Sequence, residues 1–202
     1  MSQNTLPDHE CPHRCAWADS APDFPHYHDN EWGFPVRDDQ RLFEKLCLET
    51  FQSGLSWRTI LSKRENFRSA FAQFDFHKMA QFGEQEIVDL LDNEGIVRNK
   101  RKILAVINNA KRALEMVDQE GSLATFIWCY EPDENSLPPP ETQTTCAESI
   151  ALSKELKKRG WQFVGPTTMY AFMQSMGLIN DHAEHCFMRE RVDQARKVFR
   201  RP

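Results

Sequence analysis

The stretch "EQEIVDLLDNEGIVRNKRKILAVINNAKRALEMV", residues 84–117, decides the fold. It divides into two segments of helical periodicity, "EQEIVDLLDNEG" and "NKRKILAVINNAKRALEMV", joined by a short turn around Gly95. Between residues 97 and 112 the chain carries Arg98, Lys100, Arg101, Lys102, Lys111 and Arg112 with no acid among them. Two helices with a tight glycine-containing link, the second opening on Lys and Arg, aim backbone N–H groups and a helix N-terminus at a phosphate. Many helical hairpins share that outline, and a solvated basic helix surface is the competing reading. The second tight glycine of a DNA-gripping hairpin is absent, since Val97 and Arg98 follow Gly95-Ile96.

Helical periodicity extends on both sides. "DDQRLFEKLCLETFQS" (38–53) starts on acids and places Leu42, Phe43, Leu46 and Cys47 on one face. After Gly54 the pattern predicts a helix over 56–74. Residues 131–147, rich in Pro, acids and Thr, read as a surface loop. Thr145 and Glu148 have capping-box spacing for a helix that ends at Gly160, and Pro166 and Gly177 bracket another. No alternating strand pattern and no repeat emerges. The expectation is an all-α fold of roughly eight to ten helices.

The 202 residues suffice for one generous domain, 40% of them apolar and 27% charged. "MSQNTLPDHE" lacks a signal-peptide pattern, and the longest apolar run, "ILAVI" (103–107), is too short for a bilayer. A reducing cytoplasm is therefore expected, where six cysteines argue for thiols or metal ligands over disulfides. The net charge of −5 opposes a nucleic-acid partner overall, yet an acidic protein can present one basic face.

Three local features point to chemistry. Glu49 lies seven after Leu42 and three after Leu46, extending an apolar stripe where Leu or Ile belongs. A buried carboxylate there needs a partner, an altered pKa or a function. The competing reading is helix curvature that lets it reach water or an arginine. "CAWADSAPDFPHYHDNEWG" (15–33) gathers Trp17, Phe24, Tyr27 and Trp32, which either roof a core or form a stacking slot. A carboxylate beside such a slot favours a flat cation, which begins to describe an alkylated base. In "GLINDHAEHC" (177–186), His182 and Cys186 would share one face if helical, as a metal clamp or ordinary packing requires.

Taken together, "RCAW…YHDNEWG", "LFEKLCLE…SGLSW", "ILSKRENFR", "GIVRNKRKI", "ALSKELKKRGWQFVGPTT" and "GLINDHAEHC" resemble the bacterial 3-methyladenine DNA glycosylase I family. The motifs run in order from Arg14 to Cys186 and are specific as a set. The resemblance implies an all-α helix-hairpin-helix glycosylase fold whose structural zinc joins the N- and C-terminal segments through Cys15, His28, His182 and Cys186. It places the base-recognising acid at Glu49 and base-binding aromatics at Trp17, Phe24, Tyr27 and Trp57. Gln52, Gly54 and Leu55 would fill the gap left by a flipped nucleotide. Gly95, Arg98, Lys100, Arg101 and Lys102 would contact the DNA backbone. Phe24 departs from the Tyr frequent in the family, and "TFQS" after Glu49 from its Gly- and Gln-containing versions. Both departures bear on substrate range more than on fold.

These expectations give a glycosylase domain over 14–186, flanked by an extension (1–13) and a basic tail (187–202). Its partner would be double-stranded DNA with alkylated bases, engaged by a monomer and away from membranes. Because N3-alkylated adenine is cationic and a good leaving group, positioning and electrostatics can supply much of the catalysis. Water would attack the sugar carbon without a lyase step, and the resemblance implies no attacking aspartate. Two rival functions are a zinc hydrolase and a non-catalytic DNA-binding protein. Four Cys/His ligands close a zinc site and argue against the first, although Cys11, His13, His26 and His185 are alternative ligands. Glu49 in its apolar stripe argues against the second.

Overall fold

The computed structural model describes residues 13–202, and among these it contains helices and connecting turns but no strand. Residues 1–12, and with them Cys11 and nearly all of the expected extension, lie outside the described residues. Eleven α-helices follow one another: α1 (Phe24–Asn30), α2 (Asp39–Gln52), α3 (Trp57–Leu61), α4 (Arg64–Ala70), α5 (Phe76–Met79), α6 (Glu84–Asp92), α7 (Lys100–Glu120), α8 (Leu123–Trp128), α9 (Ala147–Lys158), α10 (Pro166–Ser175) and α11 (Met188–Val198). The count exceeds the expected eight to ten because the helix expected over 56–74 breaks into α3, α4 and a short 3-10 turn. Residues 72–74 turn with positive φ, so that Phe67, Phe71 and Phe74 all reach the interior and group with Phe51. Burying four phenylalanines, each worth about 1.5–3 kcal/mol, outweighs the regularity of one longer helix.

Helix α2 is central. Asp38 caps it by accepting from the Arg41 amide at 2.8 Å. Asp39 accepts from the amides of Leu123 and Ala124 at the start of α8, anchoring one helix N-terminus to the other. Leu42, Phe43, Leu46, Cys47 and Phe51 are buried against α7, α8 and α10. Pro166 opens α10 as expected. The α9 cap falls one residue after the expected Thr145: Cys146 accepts from the Ser149 amide, and the Ser149 hydroxyl accepts from the Cys146 amide.

The α6–α7 hairpin turns through residues 93–99. Asn93 accepts from the Gly95 amide at 2.8 Å, and Asn99 caps α7 by accepting from the Lys102 amide. A Cβ at position 95 would lie 2.9 Å from Asn93 Oδ1 and 3.1 Å from Asn66 Cγ, so close approach selects glycine there. Lys63 and Asn66 of the preceding segment donate to the Gly95 carbonyl and fix the turn from outside. Residues 187–202, expected as a tail, instead fold: α11 buries Met188, Val192 and Arg196. The Arg196 guanidinium pairs with Glu131 and Glu134 and donates to the Gly177 carbonyl.

Candidate base pocket and metal-ligand cluster

Glu49 is 5% exposed, so its stripe does carry a carboxylate into the interior. No arginine is paired with it among the described residues. Its partner is Lys45, one turn earlier on α2, whose Nζ lies 2.8 Å from Glu49 Oε1. Lys45 is equally buried, donates to the Tyr27 hydroxyl at 2.9 Å, and sits 3.4 Å from the centroid of the Trp57 ring. Burial alone would lower the Lys45 pKa, but Glu49 and Tyr27 outweigh it and hold the pKa above the ordinary lysine value. The Tyr27 hydroxyl is pushed up chiefly by its own burial.

Tyr27 and Trp57 form one wall, their rings 5.3 Å apart and inclined at 45°. Trp17 stands behind Tyr27 at 6.3 Å and packs edge-on against Phe24, His28 and Trp32. Phe24 is buried and touches Trp17. The Trp57 indole N–H has no acceptor among the described residues. The cavity beside these groups measures about 20 Å³, room for about one water. Its outer wall carries Glu31 and Glu44, held by Arg64 and Arg68.

Gln52, half-buried, ends α2, and Gly54 and Leu55 form the exposed tip that follows it. Gly54 turns with φ +76°, and a Cβ there would meet nothing within 4 Å, so backbone conformation rather than space favours glycine. Leu55 is 42% exposed, unusual for a large apolar side chain. Arg98, Lys100 and Arg101 are exposed at the start of α7, close in sequence to Gly95. Lys102, expected with them at the DNA backbone, is buried: its ammonium donates to the Phe51 and Ser53 carbonyls at the end of α2. A helix end leaves carbonyls without intrahelical donors, and an inward lysine satisfies them better than a solvated one.

A second polar cluster lies beside the aromatics. The ligand atoms of Cys15, His28 and Cys186 all fall within 4.8 Å of one another, and all three residues are buried. The fourth expected ligand, His182, is fully buried with its ring centroid 4.9 Å from that of His28. Its Nδ1 meets Asn180 Oδ1 at 2.9 Å, while its Nε2 has no partner among the described residues. Burial first, then His28 and Arg189, push the His182 pKa down to about 3, so the ring is neutral. His28 is likewise fixed through Nδ1, by Asp29. His182 and Cys186 lie on a turn, not on the helix that would have put them on one face. The alternatives His13, His26 and His185 are exposed.

Lys45 escaped the sequence reading, although it sits three after Leu42 and four before Glu49 on the same stripe. That spacing was the available signal.

An all-helical frame carrying an aromatic slot with a buried carboxylate defines a protein built to hold a flat, positively charged group. The model of the methyladenine glycosylase family matches residues 17–189, and the chain belongs to that family. It is 44% identical over 177 residues to DNA-3-methyladenine glycosylase 1 of Escherichia coli, covering 86% of this chain and 95% of that protein. To DNA-3-methyladenine glycosylase of Haemophilus influenzae it is 46% identical, covering 86% and 96% respectively. The structure of 3-methyladenine DNA glycosylase I from Staphylococcus aureus, described for its recognition of 3-methyladenine, aligns with TM-score 0.80 at 34% identity, over 87% of this chain and 96% of that one.

Proposed function

We propose that this protein is a monofunctional DNA glycosylase that hydrolytically releases 3-methyladenine from alkylated double-stranded DNA. The observation that carries this reading is the buried Glu49 carboxylate beside the Tyr27 and Trp57 rings. An extruded N3-methylated adenine carries positive charge and an amino edge. Glu49 accepts hydrogen bonds from that edge, and Tyr27 and Trp57 stack on the ring, with Trp17 supporting Tyr27 from behind. A preorganised anion in a low-dielectric slot stabilises charge there more than the same group would in water. Water then attacks the sugar carbon as the base departs, with no covalent intermediate on the protein.

The α6–α7 turn serves as a helix-hairpin-helix grip, with Arg98, Lys100 and Arg101 facing phosphates while Leu55 wedges into the space vacated by the base. Cys15, His28, His182 and Cys186 would hold a structural zinc. Two soft thiols and two histidines are a donor set that would suit zinc, and the orphaned Nε2 of buried His182, beside the Cys15, His28 and Cys186 group, fits a fourth ligand. Asp29 and Asn180 orient the two rings from outside. Burial pushes the Cys15 thiol up to about 12, and a bound cation reverses that effect by deprotonating its ligand. When bound, the metal supplies cross-linking of the two chain ends.

Release of 3-methyladenine from methylated duplex DNA tests the assignment. Glu49→Gln is expected to lower single-turnover release by about 10²–10³ while the variant still binds DNA. Near wild-type release by this variant removes Glu49 from the role. DNA binding without base release in the wild type leaves a binding protein instead.

A further inference from the structure

The base seat described above already holds a cation. The Lys45 ammonium has the Glu49 carboxylate at 2.8 Å, the Tyr27 hydroxyl at 2.9 Å and the Trp57 ring centroid at 3.4 Å. Those are the three interactions that a flat, positively charged base would use in the same slot. The site is buried, so repulsion between two cations there is barely screened by salt or water. The remaining cavity of about 20 Å³ falls far below the roughly 300 Å³ at which ligand pockets begin, so any base must move side chains to enter, but only a cation must also compete for the Glu49 carboxylate.

We propose that Lys45 sets the charge selectivity of this pocket: its ammonium occupies the cation seat between Glu49, Tyr27 and Trp57, and a cationic base enters only by displacing it. The inference rests on the reading of that slot as the base pocket. Lysine suits the task because its charge rides on a four-carbon stem that can swing out, whereas a rigid fork could not leave as easily. The cavity is lined by Glu31 and Glu44 together with Arg41, Arg64 and Arg68, so the departing ammonium moves along a wall of paired charges. Displacement weakens the binding of every cation relative to a neutral base of the same shape, because the neutral base need not compete for the carboxylate. Lys45 is thus a specificity-determining residue, and the chain's preference for cationic lesions is set lower than Glu49 alone would set it.

The test measures binding by the full-length protein to 3,9-dimethyladeninium, a permanent cation with the shape of the base and no glycosidic bond. Neutral 9-methyladenine is the comparison. Lys45→Met is expected to raise the ratio of cation to neutral affinity at least about tenfold. An unchanged or lower ratio overturns the proposal. Because Lys45→Met leaves a buried carboxylate alone, Lys45→Met/Glu49→Gln provides a foldable neutral pair and is expected to abolish the gain. A ratio that stays raised in this double variant also overturns it. Lys45→Arg, which keeps a cation in the seat, is expected to hold the ratio at or below the wild-type value. Base release from alkylated DNA is scored separately. A raised ratio without release by any form keeps Lys45 and removes the glycosylase reading, whereas release with an unchanged ratio does the reverse.

Discussion

Two buried polar clusters sit side by side under the same aromatics, and they are satisfied in opposite ways. Around Glu49 the chain completes its own charged set: acid, ammonium, hydroxyl and ring are paired, although the Trp57 indole N–H has no acceptor among the described residues. Around Cys15, His28, His182 and Cys186 it does not, because the outer ring nitrogens are anchored while the Nε2 of His182 has no partner among the described residues. A buried polar atom without a partner costs about 1–3 kcal/mol. On the readings proposed above, the first cluster is a seat with a removable occupant and the second a socket whose zinc would be part of the fold. His28 and Trp17 touch across the boundary, so the socket also braces the wall of the seat.

The largest expected effect breaks the socket. Cys186→Ala, or removal of zinc by a chelator, is expected to cost on the order of 4 kcal/mol, which at this chain length is roughly 8–16 °C in Tm. Metal analysis and thermal unfolding check it, and base release is expected to fall only in step with the loss of folded protein. Glu49→Gln should show the contrary pattern, a large loss of release with a smaller loss of Tm. If both variants lose stability and activity in the same proportion, the division into seat and socket fails.

A smaller effect concerns the exposed cations outside both clusters. Replacing Arg98, Lys100 and Arg101 by Ala is expected to leave Tm near wild type and lower the salt slope of DNA affinity by about one unit per residue. Lys102→Ala is set apart from these, since it removes donors from the end of α2 and is expected to act on stability instead.

The smallest effect is read by pH at the rim of the seat. Burial alone would push the Glu31 carboxyl up, but the fork to Arg64, helped by Arg41 and Arg68, holds it below its ordinary value. A depressed carboxylate adds stability above its unfolded pKa of about 4.3 and loses it as pH falls through the folded value. Glu31→Gln is accordingly expected to cost about 1–3 kcal/mol at neutral pH, with the gap to wild type closing below about pH 4. Parallel urea unfolding curves across pH would measure it.

Local rules made much of the frame legible. Asp38 announced α2, Pro166 announced α10, and the apolar stripe placed the core of α2 correctly. The break after Leu61 was hidden because it serves tertiary packing of Phe67, Phe71 and Phe74, which no local signal specifies. Glu49 was legible as an acid on an apolar face and Tyr27 as one of the aromatics gathered in 15–33, while the role of Trp57 came from the resemblance. Lys45 was not singled out, and the burial of Lys102 was not foreseen. Lysine is by default a surface residue; Lys45 has one local partner, Glu49, but its second, Tyr27, and the acceptors of Lys102 at the end of α2 lie far along the chain. Long-range partners of that kind are set by topology, which periodicity does not encode.

That inward Lys102 has a mechanical consequence. The lysine belongs to the basic hairpin helix, and both its acceptors belong to the backbone that carries the Gly54–Leu55 tip. One side chain thus ties the turn proposed to face phosphates to the backbone that leads to the exposed leucine. The two cannot drift independently, so a shift of the turn along a duplex is delivered to the tip as the same shift, in the manner of a caliper whose jaws share one beam.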